Sequence, residues 1–340
     1  MNGRWVIFSF FFALIGCVEP ITIDPLDDFE SQLIVEGWIN DVDEMVVVRL
    51  GTSTPDGIGE NTLGPGAIVT IESGTGEMVL LDEVFPGLYS TASNELVGVV
   101  GESYTLNITL KDDRSYISEI VTIPEPVEFG STRDVPIENR GFTDDRTPFV
   151  SYSNDIFTEL QNTEDEHFVR IETSGWANLR VDYQLEAPGP LTCWQIRDPV
   201  NREIILANNT GVNVDTYEIE VTNVPVDIRM NYIIELYANA MSPEAFIFWL
   251  EAQRQLERGG GVFDPPFAPV VGNIRNVNDP DEVVLGYFHA YARTMTRYCF
   301  SRLGIPGNFE IPILPATVLC TDFYAPAVFE LPFDDDSLCN

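Results

Sequence analysis

The chain has 340 residues, with 54 Asp and Glu against 18 Lys and Arg, a formal charge of −36, and only two histidines. That balance excludes the concentrated basic surface a nucleic-acid-binding protein needs, and two histidines leave no His-rich zinc site. Hydrophobic residues make up 44% of the sequence, enough to bury a core.

Residues 1–16 read as a signal peptide. Arg4 supplies the positive start, and residues 5–15 are an apolar run interrupted only by Ser9. Such a run fits a signal segment and is shorter than the roughly 20 residues that span a bilayer. It leads through Leu14-Ile15-Gly16 into Cys17, the pattern of a bacterial lipobox. Cleavage before Cys17 would expose it for acylation on its thiol and its new amino group. One acyl chain anchors marginally, whereas two or three hold. Cys17 is therefore the expected lipid-attachment residue, and residues 17–28, acidic and proline-containing, the acylated tether. No later segment is long and apolar enough to cross a membrane.

From residue 29 onward, period-two alternation dominates. Tyr104, Leu106, Ile108 and Leu110 alternate with polar residues, as do Val181, Tyr183 and Leu185, and then Tyr217, Ile219 and Val221. Each run predicts a strand with one wet and one buried face. Turn chemistry separates them at Pro55-Asp56-Gly57, Ser73-Gly74-Thr75-Gly76, Pro86-Gly87 and Asn208-Asn209-Thr210-Gly211. The expectation is a mainly β protein of two β-sandwich domains. Pro124-Glu125-Pro126 suits the connection, since proline cannot donate to a ladder and biases its predecessor to extended geometry. The first domain would span 29–124, Ig-like or transthyretin-like, and the second 125–340.

The second domain carries one predicted helix, near residues 243–258. Ser242 suits its N-cap, Pro243 its first position and Glu244 its N-terminal dipole, and Gly259-Gly260-Gly261 stops it. Ala245, Trp249, Ala252 and Leu256 share a face that Phe246 and Leu250 widen. Ile247 and Phe248 lie off that face, so the helix is expected to be covered on two sides within its own domain, the alternative being that these two residues meet a partner. After it comes a predicted strand at 283–288, in which Gly286 marks a bulge or a close backbone approach.

Beyond Cys17, the cysteines are Cys193, Cys299, Cys320 and Cys339, all in the second half and with no Cys-x-x-Cys spacing. They are possible disulfide cysteines, with the pairing open. His167 belongs at a strand entrance, and His289 reads as a packed or interfacial histidine. Neither sits beside a motif that would make it catalytic. The acidic stretches 41–44, 276–282 and 334–336 could supply oxygen ligands to calcium, but none has the EF-hand register. Trp38, Trp176, Trp194 and Trp249 fit either core packing or a stacking platform.

Several segments together resemble a family. The lipobox with Glu19-Pro20, the run Leu33-Ile34-Val35-Glu36-Gly37-Trp38-Ile39, Cys193-Trp194, the helix, Gly261-Val262-Phe263-Asp264-Pro265-Pro266, Gly272-Asn273-Ile274 and Val284-Leu285-Gly286-Tyr287-Phe288 follow in order. This set resembles a Bacteroidota outer-membrane lipoprotein family known only as a domain of unknown function. The resemblance implies an outer-membrane destination beside TonB-dependent receptors, facing either the periplasm or the cell surface, while the lipid anchor comes from the lipobox. It implies no catalytic residue and no cofactor.

The expectation is thus a non-enzymatic lipoprotein, attached to the membrane through Cys17, that assists a TonB-dependent receptor or captures its ligand. The alternative is a structural or adhesive envelope module. A surface hydrolase is the third reading, and the sequence offers it no catalytic constellation.

Overall fold

In the strand Ser103–Thr109, Tyr104, Leu106 and Ile108 are buried while the residues between them stay half-buried. Leu33–Asn40 turns Leu33, Val35 and Ile39 inward in the same way. The computed structural model describes residues 31–339 except 55–59, 64, 144, 181, 184–191, 200–203, 227–230, 258–269, 303–312, 315–317, 324–325, 329 and 333–338. Cys17, the signal segment and the tether lie outside the described residues. The protein is mainly β.

One hydrogen-bonded path runs through most of the strands. It passes from Ile274–Asn276 through Ser115–Ser118, Ser103–Thr109, Ile68–Ser73 and Met78–Phe85 to Leu88–Ser90 and Val47–Ser53. It then continues through Leu33–Asn40, Leu285–Ser301, Asn231–Met241 and Phe168–Arg180 to Thr192–Ile196. Met78–Phe85 is where the path changes partner. Its first half pairs with Ile68–Ser73 and its second with Leu88–Ser90, with a register slip between Glu83 and Phe85. Val69, Ile71 and Leu106 share one buried cluster with Val35, Val48 and Leu50.

Leu285–Ser301 is longer than the sequence pattern predicts, because the stretch at 283–288 and the strand-like run around Cys299 are one strand. Residues 285–291 pair in parallel with 34–40, and residues 291–301 pair antiparallel with 231–241. A single strand thus bonds to an early segment at one end and a late one at the other. Phe129–Phe142, Pro148–Gln161 and Thr216–Pro225 form a separate three-stranded sheet. It meets the long strand where Tyr298 Oη donates to Asp134 Oδ1 at 2.7 Å. The segment before it is fastened too, since Thr294 Oγ1 donates to Val127 O at 2.6 Å and both Ile123 and Val127 are buried.

Gly286 is a close approach. Its φ is +91°, and a β-carbon there would stand 2.0 Å from the Val35 carbonyl oxygen. The carbonyl of Gly286 in turn lies where a β-carbon on Gly272 would be, at 1.8 Å. Next to that contact, Asn273 behaves like a piece of strand. Its Nδ2 donates to Phe288 O and its Oδ1 accepts from Phe288 N, both at 2.9 Å and both buried. Asn273→Ala would leave two buried main-chain groups without these partners, at about 1–3 kcal/mol each. Urea unfolding should therefore show a loss of roughly 3 kcal/mol.

Two disulfides tie late segments to strands. Cys193 on Thr192–Ile196 joins Cys320 on the short helix Cys320–Phe323, 127 residues apart. Cys299 on the long strand joins Cys339, 40 residues apart.

The helix runs Pro243–Leu256, capped as its residues suggest. The Ser242 side chain accepts from Ala245 N at 3.3 Å, and Pro243 opens the first turn. It packs on Phe168–Arg180 and Ile205–Asn208, with Phe246 against Phe168 at 5.1 Å between rings. Cover on two sides is corrected: Ile247 is 54% exposed, and Leu256, expected on the packed face, is 70% exposed. Phe248 is instead turned to the sheet, 4.8 Å from the Tyr287 ring. Burial is deepest in the first turn, at Ala245 and Phe246, and is lost toward Leu256.

Candidate functional site

Between this helix and the sheet lies a cavity of about 480 Å³. Its walls come from five elements: Leu33–Asn40, Phe168–Arg180, Asn231–Met241, Leu285–Ser301 and the helix. On the long strand, alternation places Tyr287, His289, Tyr291 and Arg293 on the cavity face, while Phe288, Ala290 and Ala292 point into the core. Arg170 and Glu172 follow the same rule on their strand. Parallel pairing sets Trp38 beside His289.

One end of the cavity is a polar network. Arg293 Nη2 donates to Glu172 Oε2 at 2.9 Å, and its Nε donates to Asn239 Oδ1 at 2.8 Å. Glu172 uses its other oxygen on Arg170 Nη2, at 3.0 Å. Asp43 Oδ1 lies 3.8 Å from Arg293 Nη1, while its Oδ2 accepts from Asn40 Nδ2 at 2.6 Å. One carboxylate therefore bridges two guanidinium groups.

The other end is aromatic. The His289 ring stacks on Trp249 at 5.2 Å and Tyr287 at 4.5 Å, and meets the edge of Phe248 at 5.7 Å. Arg170 lays its guanidinium over the Trp249 ring at 3.8 Å, a cation–π contact that joins the two ends.

Burial governs the protonation states. Desolvation, helped by the positive charge of Arg170, pushes the His289 imidazole down to about 3. Desolvation also pushes the Tyr287 and Tyr291 phenols up to about 12 and lowers Arg170. At neutral pH the imidazole is neutral and both phenols keep their protons. The sign for stability follows. Below pH 6.5 the unfolded chain protonates this histidine, but the folded chain refuses the proton until about pH 3. Stability from this group is present above pH 6.5 and is lost as pH falls toward 3. Denaturation measured at steps between pH 7 and 4 should show a shallower fall for His289→Phe than for the wild type.

The other residues singled out in the sequence have different places. His167 is buried just before its strand, with Nε2 2.9 Å from Tyr217 Oη and its main-chain N–H donating to Asn209 Oδ1 at 2.8 Å. Trp38 and Trp249 line the cavity, whereas Trp194 is buried and the Trp176 indole donates to Glu235 at 3.3 Å. Asp41 accepts from the Arg293 main-chain N–H at 2.9 Å and Asp43 lies 3.8 Å from the Arg293 guanidinium, so 41–44 faces a cation of the protein's own. In 276–282, Asn276 Oδ1 accepts from the main chain of Asn278 and Asp279, and Glu282 accepts from Tyr116. Among the described residues no group of three or more His, Cys, Asp or Glu is placed to hold a metal ion. The stretch 334–336 lies outside them. Arg170, Glu172, Asn239, Tyr291 and Arg293 were not anticipated. The one available signal was the Tyr-His-Tyr-Arg series at alternate positions of a strand, where simple solvent-facing positions would show Ser, Thr or Glu.

The family model described as Domain of unknown function (DUF4249) matches residues 18–297. The chain belongs to this family. The DUF4249 match contains every residue of the cavity wall, from Glu36 to Arg293, and stops short of Cys299, Cys320 and Cys339. Each disulfide thus has at least one cysteine beyond the DUF4249 span. A comparison with curated proteins gives no match.

Proposed function

We propose that this protein is a non-enzymatic lipoprotein of the outer membrane, anchored through acylated Cys17, that captures a small ligand as the accessory of a TonB-dependent receptor. The observation that carries the reading is the cavity, whose size falls within the roughly 300–1,000 Å³ of small-molecule sites. Its aromatic walls, guanidinium groups and neutral imidazole suit holding a ligand. A general acid or base works best with a pKa near the operating pH, and His289 is shifted far from it. The lipobox and the ordered resemblance supply the address and the receptor. At finer grain the proposed architecture is two sandwiches, an Ig-like or transthyretin-like one at 29–124 and a second at 125–340. The partner change within Met78–Phe85 and the shared cluster around Val35 and Leu106 support the first.

The test is recovery of the tagged protein from membranes in mild detergent, which should bring down a receptor barrel. Recovery of the lipoprotein alone, under conditions that preserve other outer-membrane complexes, overturns the partnership. Cys17→Ser should leave the membrane pellet and lose labelled palmitate while melting as the wild type does, because acyl chains contribute to attachment and not to packing. A mutant that stays labelled and pelleted overturns the anchor.

The second reading, a structural or adhesive module, draws on the hairpin Phe129–Phe142/Pro148–Gln161. Phe142, Phe149 and Val150 are exposed near its turn, an apolar tip of the kind that contacts partners. Truncating this tip would then impair attachment and spare uptake.

A further inference from the structure

The polar groups of the cavity are unevenly spent. Both oxygens of Glu172 face arginines, and both oxygens of Asp43 are engaged by Arg293 and Asn40. Glu36, the third carboxylate of the wall, lies 3.7 Å from Arg49. At the Arg170 end the donors are in surplus. Arg170 has five N–H groups, and its ion pair is with Glu172, which it shares with Arg293. Among the described residues nothing accepts from the indole N–H of Trp38 or Trp249, or bonds to either ring nitrogen of His289. A ligand that completes such a site brings acceptors to the Arg170 end and a broad aromatic or C–H face to the rings.

We infer that the cavity takes a small organic carboxylate carried on a ring with a broad aromatic or C–H face, its carboxylate on Arg170 and its ring against the aromatic end of the cavity. Guanidinium and carboxylate match in shape and charge, and the pair is worth more than a neutral hydrogen bond. Stacking Arg170 on Trp249 fixes its plane in advance, so little freedom is lost on binding. Two sources share this chemistry, an aromatic acid and a cyclic sugar acid. The aromatic acid gains from ring stacking, whereas the sugar acid adds hydroxyls that His289 could meet as donor and acceptor.

This inference rests on the ligand-capture reading and is tested without the receptor. Full-length protein in mild detergent is titrated with phenylacetate, phenylacetamide, galacturonate and galactose, following tryptophan fluorescence and heat. One acid should bind roughly ten- to a hundredfold more tightly than its neutral partner, the worth of a charge-assisted hydrogen bond. Which acid binds identifies the source. Arg170→Gln should remove that preference and Arg170→Lys should keep part of it. Equal binding of acid and neutral partner by the wild type, saturation by neither acid, or an unchanged preference in a folded Arg170→Gln protein overturns the inference. Since acid is compared with neutral ligand on the wild type, a variant that fails to fold does not spoil the test. A failed receptor pull-down leaves this result standing, and failed titrations leave the receptor partnership untouched.

Discussion

Gly286→Ala should destabilise the protein by about 4 kcal/mol or more. Two costs combine. The backbone sits at φ +91°, which a β-carbon makes strained, and that carbon would meet the Val35 carbonyl oxygen at 2.0 Å. Relief requires the strands 33–40 and 285–301 to part where they pair in parallel. Gly76 is the control. Its φ is +86°, but a β-carbon there meets nothing within 4 Å, so Gly76→Ala should cost only the conformational share, about 1 kcal/mol. Urea midpoints compare the two, and amide exchange should show lost protection in residues 33–40 for Gly286→Ala alone. Equal midpoints would mean that the strands separate without cost.

Removing the Cys193–Cys320 disulfide should have the second-largest effect. Its loop spans 127 residues, and closing a loop that long removes about 5 kcal/mol of chain entropy from the unfolded state. The Cys299–Cys339 loop of 40 residues is worth about 4 kcal/mol by the same relation. Both figures are ceilings, because real bridges commonly deliver less. Both cysteines of the first pair are fully buried, so alanine is the replacement that leaves no unsatisfied hydroxyl. Cys193→Ala/Cys320→Ala should lower the unfolding free energy by roughly 2–5 kcal/mol, with a smaller loss for the other pair. A reducing agent should reproduce both losses in the wild type.

Local order was legible in the sequence and assembly was not. Strands such as Ser103–Thr109 follow from alternation, because period two is a property of a few neighbouring residues. The helix start follows from Ser242, Pro243 and Glu244 for the same reason. Leu256 is exposed despite its place on the apolar face, because a helical wheel gives the angle of a side chain and not how far along the helix the packing extends. The full length of Leu285–Ser301 was not legible, because its two halves are held by different neighbours, 34–40 and 231–241, that lie far away in sequence. The cavity had no local signature. Trp38, Arg170, Asn239, Trp249 and His289 meet only after strands far apart in sequence take their register, and no spacing rule encodes that meeting.

The pairing of 34–40 with 285–291 also sets an order of events. Asn40 and Tyr291, side by side in the sheet, are 251 residues apart in the chain. Until the last part of the polypeptide is available, Leu33–Asn40 has one edge without its partner, and closing so long a loop is slow. Under the export proposed above, the chain would therefore not complete its main sheet before nearly all of it had crossed the membrane. The topology itself thus ties completion of the main sheet to the end of the chain, and until then it leaves an open strand edge of the kind that invites mispairing.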